Sequence, residues 1–221
     1  MSRRLIYLHG FASSAQSSKG AYLGTRATPE GMLFEAPDLN APEFSSLTIS
    51  RMIDQVRALV GASGEAPVTL VGSSLGAVVA LFAAEALARA GRPAAVDTLV
   101  LMAPAVDLVP GLTSHFGIAG LEEWERTDTL EVFHYGDQAM RQLRWSFFAD
   151  ARGYDPWAVD PPVPTLVFQG TRDEIVDAGA VQRWASGRAR VTLHLVDDGH
   201  QLLGSLDAMW AAIRRFVQVP A

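Results

Sequence analysis

Short runs of apolar residues alternate along this chain with longer segments of helical periodicity. Several runs are apolar at consecutive positions, as expected for strands that are covered on both faces of a parallel sheet. The runs predict six strands: Leu5–Leu8, Met32–Ala36, Val68–Gly72, Thr98–Ala103, Thr165–Gln169 and Val191–Val196. The helical segments between them are Ser18–Thr28, Thr48–Val60, Ser74–Ala90, Asp177–Gly187 and Leu203–Val217. This alternation predicts an α/β fold with a mostly parallel sheet of about six strands, helices on both faces and right-handed crossovers.

The composition favours one globular domain over residues 1–221, because 49% of the residues are hydrophobic and only 19% are charged. The chain has no cysteine, which excludes disulfides, thiolate nucleophiles and cysteine-bound metals. Its net charge of -6, without a long Lys/Arg cluster, argues against a nucleic-acid partner.

The apolar stretches are too short for a membrane protein or a secreted one. The longest, Leu75–Ala84, is well below the roughly 20 residues that a spanning helix needs. The run after Arg3 and Arg4 is too short for a signal-peptide core. We therefore expect a cytoplasmic protein with no membrane partner.

Residues 104–160 interrupt the alternation and predict an insertion within the domain. Thr129–Tyr135 and Met140–Trp145 flank turn residues and predict a hairpin, with a short helix over Ser146–Ala151. Nine of the 19 aromatic residues of the chain fall in the insertion. They suit either a small core that attaches the insertion to the body or a lid that offers an apolar wall to substrate. The candidate substrate-binding residues are Phe11, Trp124, Trp145 and Phe148.

Gly72-Ser73-Ser74-Leu75-Gly76 lies between an apolar strand and an alanine-rich helix, the context in which Gly-x-Ser-x-Gly forms a nucleophile elbow. Ser74 is the candidate nucleophile, because only this serine has glycines two residues before and after it. The alternative is an ordinary serine cap at a helix start.

A serine hydroxyl needs a general base, and that base needs an orienting group. His200 follows the last predicted strand and is the candidate base, and Asp173 follows the strand before it and is the candidate acid. Asp177 competes with Asp173, but it precedes a helix and is more simply explained as a cap. The order Ser74, Asp173, His200 is the order of the α/β-hydrolase triad.

Two backbone N–H groups are candidates for the oxyanion hole, those of Leu75 and Phe11. Leu75 follows the nucleophile, and Phe11 lies in the loop after the first strand. His9, in the same loop, is expected to brace the loop rather than to transfer protons.

The chain resembles the α/β-hydrolases over nearly its whole length, and mainly over residues 5–80 it resembles the small bacterial esterases of the YqiA/YcfP-like (UPF0227) type. The narrower resemblance is carried by Tyr7-Leu8-His9-Gly10-Phe11-Ala12-Ser13-Ser14, Ser17-Ser18-Lys19, Ala36-Pro37-Asp38-Leu39 and Leu70-Val71-Gly72-Ser73-Ser74-Leu75-Gly76. The insertion is longer than that group leads us to expect, and it is similar to the hairpin-plus-helix caps of carboxylesterases and feruloyl-type esterases.

These residues predict a serine hydrolase, without cofactor or metal, that cleaves small-molecule carboxylic esters or thioesters through an acyl-serine intermediate. The expected substrates carry small to medium apolar acyl or aromatic groups. The alternatives on the same fold are a C–C bond hydrolase, a perhydrolase, an amidase and a non-catalytic ligand-binding protein. Exposed aromatic residues of the insertion leave a homodimer open.

Overall fold

The structure is a computed structural model that describes residues 2–62 and 66–218, and its central feature is a six-stranded sheet. In chain order the strands are β1 Arg4–Leu8, β2 Leu33–Glu35, β3 Val68–Ser73, β4 Thr98–Met102, β5 Thr129–His134, β6 Ala139–Arg144, β7 Thr165–Gly170 and β8 Val191–Val196. The sheet has the order β2-β1-β3-β4-β7-β8, and every pairing in it is parallel. The prediction of a mostly parallel sheet of six strands is therefore confirmed.

Helices cover both faces of this sheet, and the four central strands β1, β3, β4 and β7 are buried at every position. The helices are α1 Ser18–Ala27, α2 Ile49–Gly61, α3 Leu75–Arg89, α4 Leu108–Phe116, α5 Ile118–Thr127, α6 Ser146–Ala151, α7 Ala178–Ala185 and α8 Leu206–Gln218. Within β1, Leu5 and Tyr7 pack in the cluster that contains α1 and α8, whereas Ile6 and Leu8 pack in the cluster that contains α2, α3 and α7. No helix in the described part of the chain is long and apolar enough to cross a membrane.

Helix α3 is the most deeply buried helix on the face of the sheet that α2, α3 and α7 cover. Ten of its fifteen residues are buried, as expected for a helix that is apolar on nearly all sides. Because α3 follows β3 without a loop, its N-terminus lies directly at the carboxyl edge of the sheet. This connection places Ser74 between the two elements.

The insertion between β4 and β7 contains the predicted hairpin, β5 and β6, and the predicted short helix α6. It also contains α4 and α5, which the sequence pattern did not predict. Pro110 lies in the first turn of α4, where the missing N–H costs no intrahelical bond, and Gly117 separates the two helices at a φ of 72°. Because Pro110 and Gly117 interrupt the helical periodicity, the sequence pattern of these two short helices resembles that of a loop.

Polar bonds attach the insertion to the rest of the molecule. The Tyr135 N–H donates to the Ala12 carbonyl at 2.7 Å, which joins the hairpin to the loop after β1. The Asp150 carboxylate in α6 accepts from the Ser50 N–H at 2.9 Å and from its hydroxyl at 2.5 Å, which joins α6 to α2. The insertion is thus held both at the loop after β1 and at α2.

Burial decides how much an isoleucine contributes to stability in this fold. Ile213 in α8 is fully buried, whereas Ile118 is 70% exposed. We expect Ile213→Ala to lower the free energy of unfolding by about 2–5 kcal/mol, because the side chain leaves a cavity. Ile118→Ala is the matched control and should change it by less than about 0.5 kcal/mol. Urea unfolding of both variants measures the difference, and equal losses would contradict the assigned core.

Candidate active site

Ser74 lies on a strained turn between β3 and α3. Its φ of 54° and ψ of -114° lie outside the regions that residues with a side chain normally adopt, at a cost of about 1–3 kcal/mol. A Cβ at Gly72 would lie 2.3 Å from the Gly76 carbonyl oxygen, and one at Gly76 would lie 2.2 Å from the Leu8 carbonyl oxygen. Both glycines are therefore required by close backbone contacts, as a nucleophile elbow demands.

The two candidate oxyanion donors lie next to this turn. Leu75 is the first residue of α3, so its N–H has no acceptor within the helix. The Phe11 N–H donates to no protein acceptor among the described residues. A Cβ at Gly10 would lie 3.2 Å from the Ser73 carbonyl oxygen, so the loop that carries Phe11 runs close against the elbow. Both donors are thus available for an anion at this edge of the sheet.

His9 links the loop after β1 to the segment after β2. Its Nε2 accepts from the Leu39 N–H at 3.0 Å, so the proton is on Nδ1, which donates to the Gly10 carbonyl at 2.9 Å. Burial lowers the pKa of His9, although the Gly10 carbonyl and Asp38 oppose this effect. His9 is therefore a neutral brace, consistent with the role expected of it.

Four hydrogen-bond donors hold Asp173 in the loop after β7, and its carboxylate is fully buried. One oxygen accepts from the N–H groups of Ile175 and Val176, at 2.9 and 2.8 Å. The other accepts from Gln169 Nε2 at 3.0 Å and from His200 Nδ1 at 2.9 Å. Burial by itself raises the pKa of Asp173, but the bonds from His200 and the two N–H groups outweigh it and lower the pKa. Asp173 is therefore an ionised acceptor.

His200 lies in the loop after β8, with its side chain 12% exposed. Because the Asp173 carboxylate accepts, Nδ1 carries the proton and Nε2 is the free, basic nitrogen. Among the described residues, the Ser74 hydroxyl makes no hydrogen bond to His200. Such bonds are often long or poorly aligned until substrate is present. The structure thus joins two of the three predicted residues directly and places the third at the same sheet edge.

The competing acidic residue has a structural position. Asp177 accepts from the N–H groups of Gly179 and Ala180, both at 3.0 Å, and so caps α7. This contact occupies its two oxygens at the helix N-terminus. Asp173, not Asp177, contacts the histidine.

The four candidate substrate-binding residues differ in their surroundings. Trp124 is 1% exposed and its indole N–H donates to the Leu143 carbonyl at 2.9 Å, so it belongs to the interior of the insertion. Phe11 stacks on Phe147 of α6 with ring centroids 5.1 Å apart. Trp145 and Phe148 contact each other at 5.0 Å, and Trp145 retains partial exposure. Trp145 thus keeps some exposed surface, whereas Trp124 is enclosed within the insertion.

Gln169 contacts Asp173 and was not predicted from the sequence. It is fully buried, and its amide donates to Asp173, to the Gly170 carbonyl at 3.1 Å and to the Val176 carbonyl at 3.3 Å. The available signal was a polar residue inside an otherwise apolar strand, since a buried amide must find partners. Within residues 2–62 and 66–218, no group of three or more His, Asp or Glu side chains could hold a metal ion.

Comparisons with known proteins identify the family and the fold of this chain. A family model described as "Uncharacterised protein family (UPF0227)" matches residues 4–218, well beyond the region that carried the sequence resemblance. No curated protein matches the chain.

Solved structures share the fold. A protein from Agrobacterium vitis S4, assigned as a hydrolase, superposes with a TM-score of 0.85 at 25% identity, covering 98% of this chain and 88% of its own. Est1E from Butyrivibrio proteoclasticus, with ferulic acid bound, has a TM-score of 0.80 at 19% identity and covers 97% and 88%. Alpha/beta hydrolase domain-containing protein 10 from mouse has a TM-score of 0.77 at 22% identity and covers 97% and 89%. The fold is therefore that of the α/β-hydrolases.

The buried neutral state of His9 predicts how stability depends on pH. Because its pKa is lowered in the folded state, the unfolded chain binds a proton at a higher pH than the folded one does. Stability is then lost as the pH falls below the ordinary histidine value of about 6.5, by at most about 1.4 kcal/mol per pH unit.

Urea unfolding between pH 7 and pH 5 measures this loss. We expect His9→Gln to show a smaller loss over that range than the wild type. The exposed His194 provides the control, since His194→Gln should keep the wild-type slope. A His9→Gln variant with the full wild-type slope would contradict the assignment.

Proposed function

The chain belongs to the UPF0227 family, and we propose that it is a serine hydrolase that cleaves carboxylic esters or thioesters. The single observation that carries the proposal is the Asp173–His200 pair, which lies at the sheet edge where Ser74 is held in a strained turn. A histidine with a purely structural role would not need a free Nε2 at the sheet edge that carries Ser74.

Acylation follows from the positions of these groups. His200 Nε2 takes the proton of the Ser74 hydroxyl while Oγ attacks the acyl carbonyl. The N–H groups of Leu75 and Phe11 donate to the oxyanion that forms, and each such donor typically contributes about 3–4 kcal/mol. The imidazolium then gives its proton to the departing alcohol or thiol, and Ser74 keeps the acyl group.

Deacylation repeats the same steps with water. His200 takes a proton from a water molecule that attacks the acyl-Ser74 carbonyl, and the proton returns to Ser74 Oγ as the acid departs. Asp173 stabilises the imidazolium in both halves and keeps the proton on Nδ1. Its four hydrogen bonds fix the carboxylate in place, so little reorganisation accompanies the transfer.

We further propose that the acyl group is apolar and small to medium in size, or aromatic. The aromatic residues of the insertion support this choice, because Trp145 and Phe148 lie in ring contact in the same helical segment as Phe147, which stacks on Phe11. The ferulic acid bound to Est1E is an aromatic acid on the same fold. A wall of this kind favours apolar groups over charged ones.

The nucleophile can be tested with an adjacent serine as control. Ser74→Ala should lower the hydrolysis of p-nitrophenyl butyrate by at least about 10³-fold, because the attacking oxygen is removed. Ser73→Ala should retain activity and remain labelled by a fluorophosphonate probe. Equal rates for wild type and Ser74→Ala would refute the proposal, and analysis of the products distinguishes ester cleavage from amide, C–C or peracid chemistry.

The acyl preference can be tested with a chain-length series of p-nitrophenyl esters. We expect kcat/KM to rise by up to about fourfold per methylene over short chains, since each buried CH₂ contributes about 0.8 kcal/mol. Trp145→Ala should flatten this rise, whereas Phe133→Ala, on the exposed hairpin, should not. No chain-length preference, or a preference for charged acyl groups, would count against an apolar wall.

A further inference from the structure

Lys19 is a buried lysine that contacts the loop of the candidate base. Its side chain lies in the first turn of α1, and the residue is 5% exposed. The ammonium donates to the Gln201 backbone carbonyl at 3.0 Å and to the Gln201 side-chain oxygen at 3.1 Å. Gln201 directly follows His200, so the two contacts hold the chain one residue beyond the imidazole.

This position is unfavourable for a cation unless its surroundings compensate. Burial lowers the pKa of Lys19 to about 8, while Asp173 and Asp198 oppose that shift through their negative charges. The first turn of a helix also repels positive charge. Two carboxylates and two oxygen acceptors of the base loop therefore make this lysine tolerable as a buried cation.

The backbone that carries Lys19 is held in place, because α1 is fixed against β1. Ser17 caps α1 by accepting from the Gly20 N–H at 3.3 Å, and its hydroxyl bonds the Tyr7 hydroxyl at 3.0 Å. A Cβ at Gly20 would lie 2.9 Å from the Tyr7 ring, so the helix starts in close contact with the strand. A cation on this support has a fixed position relative to the sheet edge.

The other side of the base loop is fixed by its own bonds. The Arg172 N–H donates to the Asp198 carbonyl at 3.0 Å, and the Asp198 carboxylate accepts from the Gly199 N–H at 2.8 Å and the Ser205 hydroxyl at 3.0 Å. These bonds hold the chain before His200, and Lys19 holds it after. His200 is thus fixed from both sides.

We propose that Lys19 is a positioning residue, which holds the His200–Gln201 segment so that the imidazole stays on Asp173 with Nε2 free at the sheet edge. The inference rests on the proposed function for its catalytic consequence. Lys19 does not touch the reacting atoms, and it acts through Gln201 and through the charge that it presents to Asp173.

The test compares two substitutions at Lys19 with one at another buried cation. Lys19→Met removes the donor and the charge, and Lys19→Arg keeps both. Arg4→Met is the matched control, because Arg4 is 9% exposed but pairs with Glu35 at the opposite edge of the sheet. The readouts are kcat and KM for p-nitrophenyl butyrate, the thermal midpoint, and the downfield NMR signal of the His200 Nδ1 proton, assigned by its loss in Asp173→Ala.

Lys19→Met should lower kcat by about tenfold or more and change KM by less than about twofold. Substrate binding is retained in this variant, whereas stabilisation of the transition state is reduced. The Nδ1 proton signal should broaden or disappear. Lys19→Arg should restore part of kcat and of the signal. Arg4→Met should lower the thermal midpoint and leave both unchanged. A Lys19→Met variant with wild-type kcat and an intact signal would overturn the proposal.

A second variant covers the case in which Lys19→Met does not fold. Gln201→Ala removes one of the two acceptors at an exposed position, and it should lower kcat by a few-fold and broaden the same signal. An unchanged kcat and signal would overturn the proposal. If the wild type cleaves no ester, the proposed function fails, while the Nδ1 signal still decides whether Lys19 positions the imidazole.

Discussion

The close contact between the start of α3 and the end of β1 is the constraint on which the rest of this site depends. Gly76 lies so close to the Leu8 and His9 carbonyls that any side chain would collide with them. This contact fixes the strained Ser74 turn and brings the loop of Phe11 beside it. One packing contact thus orders both the candidate nucleophile and a candidate oxyanion donor, which explains why strain at Ser74 can persist.

The negative charge of Asp173 is stabilised by hydrogen bonds within a buried site. The Asp173 side chain has no exposed surface, and four donors keep it ionised and oriented. Gln169 supplies one of these donors from within β7, and Lys19 adds a buried positive charge from α1. The residues that support the histidine therefore come from elements that are far apart in the sequence. His9 fixes the loop after β1 through its two hydrogen bonds, but as a neutral group.

Much of the fold and of the site was predictable, because its signals are local. Short apolar runs mark the six strands, and the glycines around Ser74 mark the elbow. The helices α4 and α5 were not predictable by the same means, since Pro110 and Gly117 interrupt their pattern. The contacts of Gln169 and Lys19 depend on which strands and helices become neighbours. A local sequence pattern does not predict which elements are adjacent in the fold. The burial of Trp124 similarly depends on how the insertion packs on itself.

The proposed mechanism is tested most directly by detecting its covalent acyl-serine intermediate. Rapid mixing with a p-nitrophenyl ester, acid quenching and peptide mass spectrometry locate any acyl group on the chain. We expect the acyl mass on the peptide that contains Ser74, with release of p-nitrophenol in a burst of about one equivalent. Ester turnover without an acylated Ser74, or with the acyl group on another residue, would contradict it.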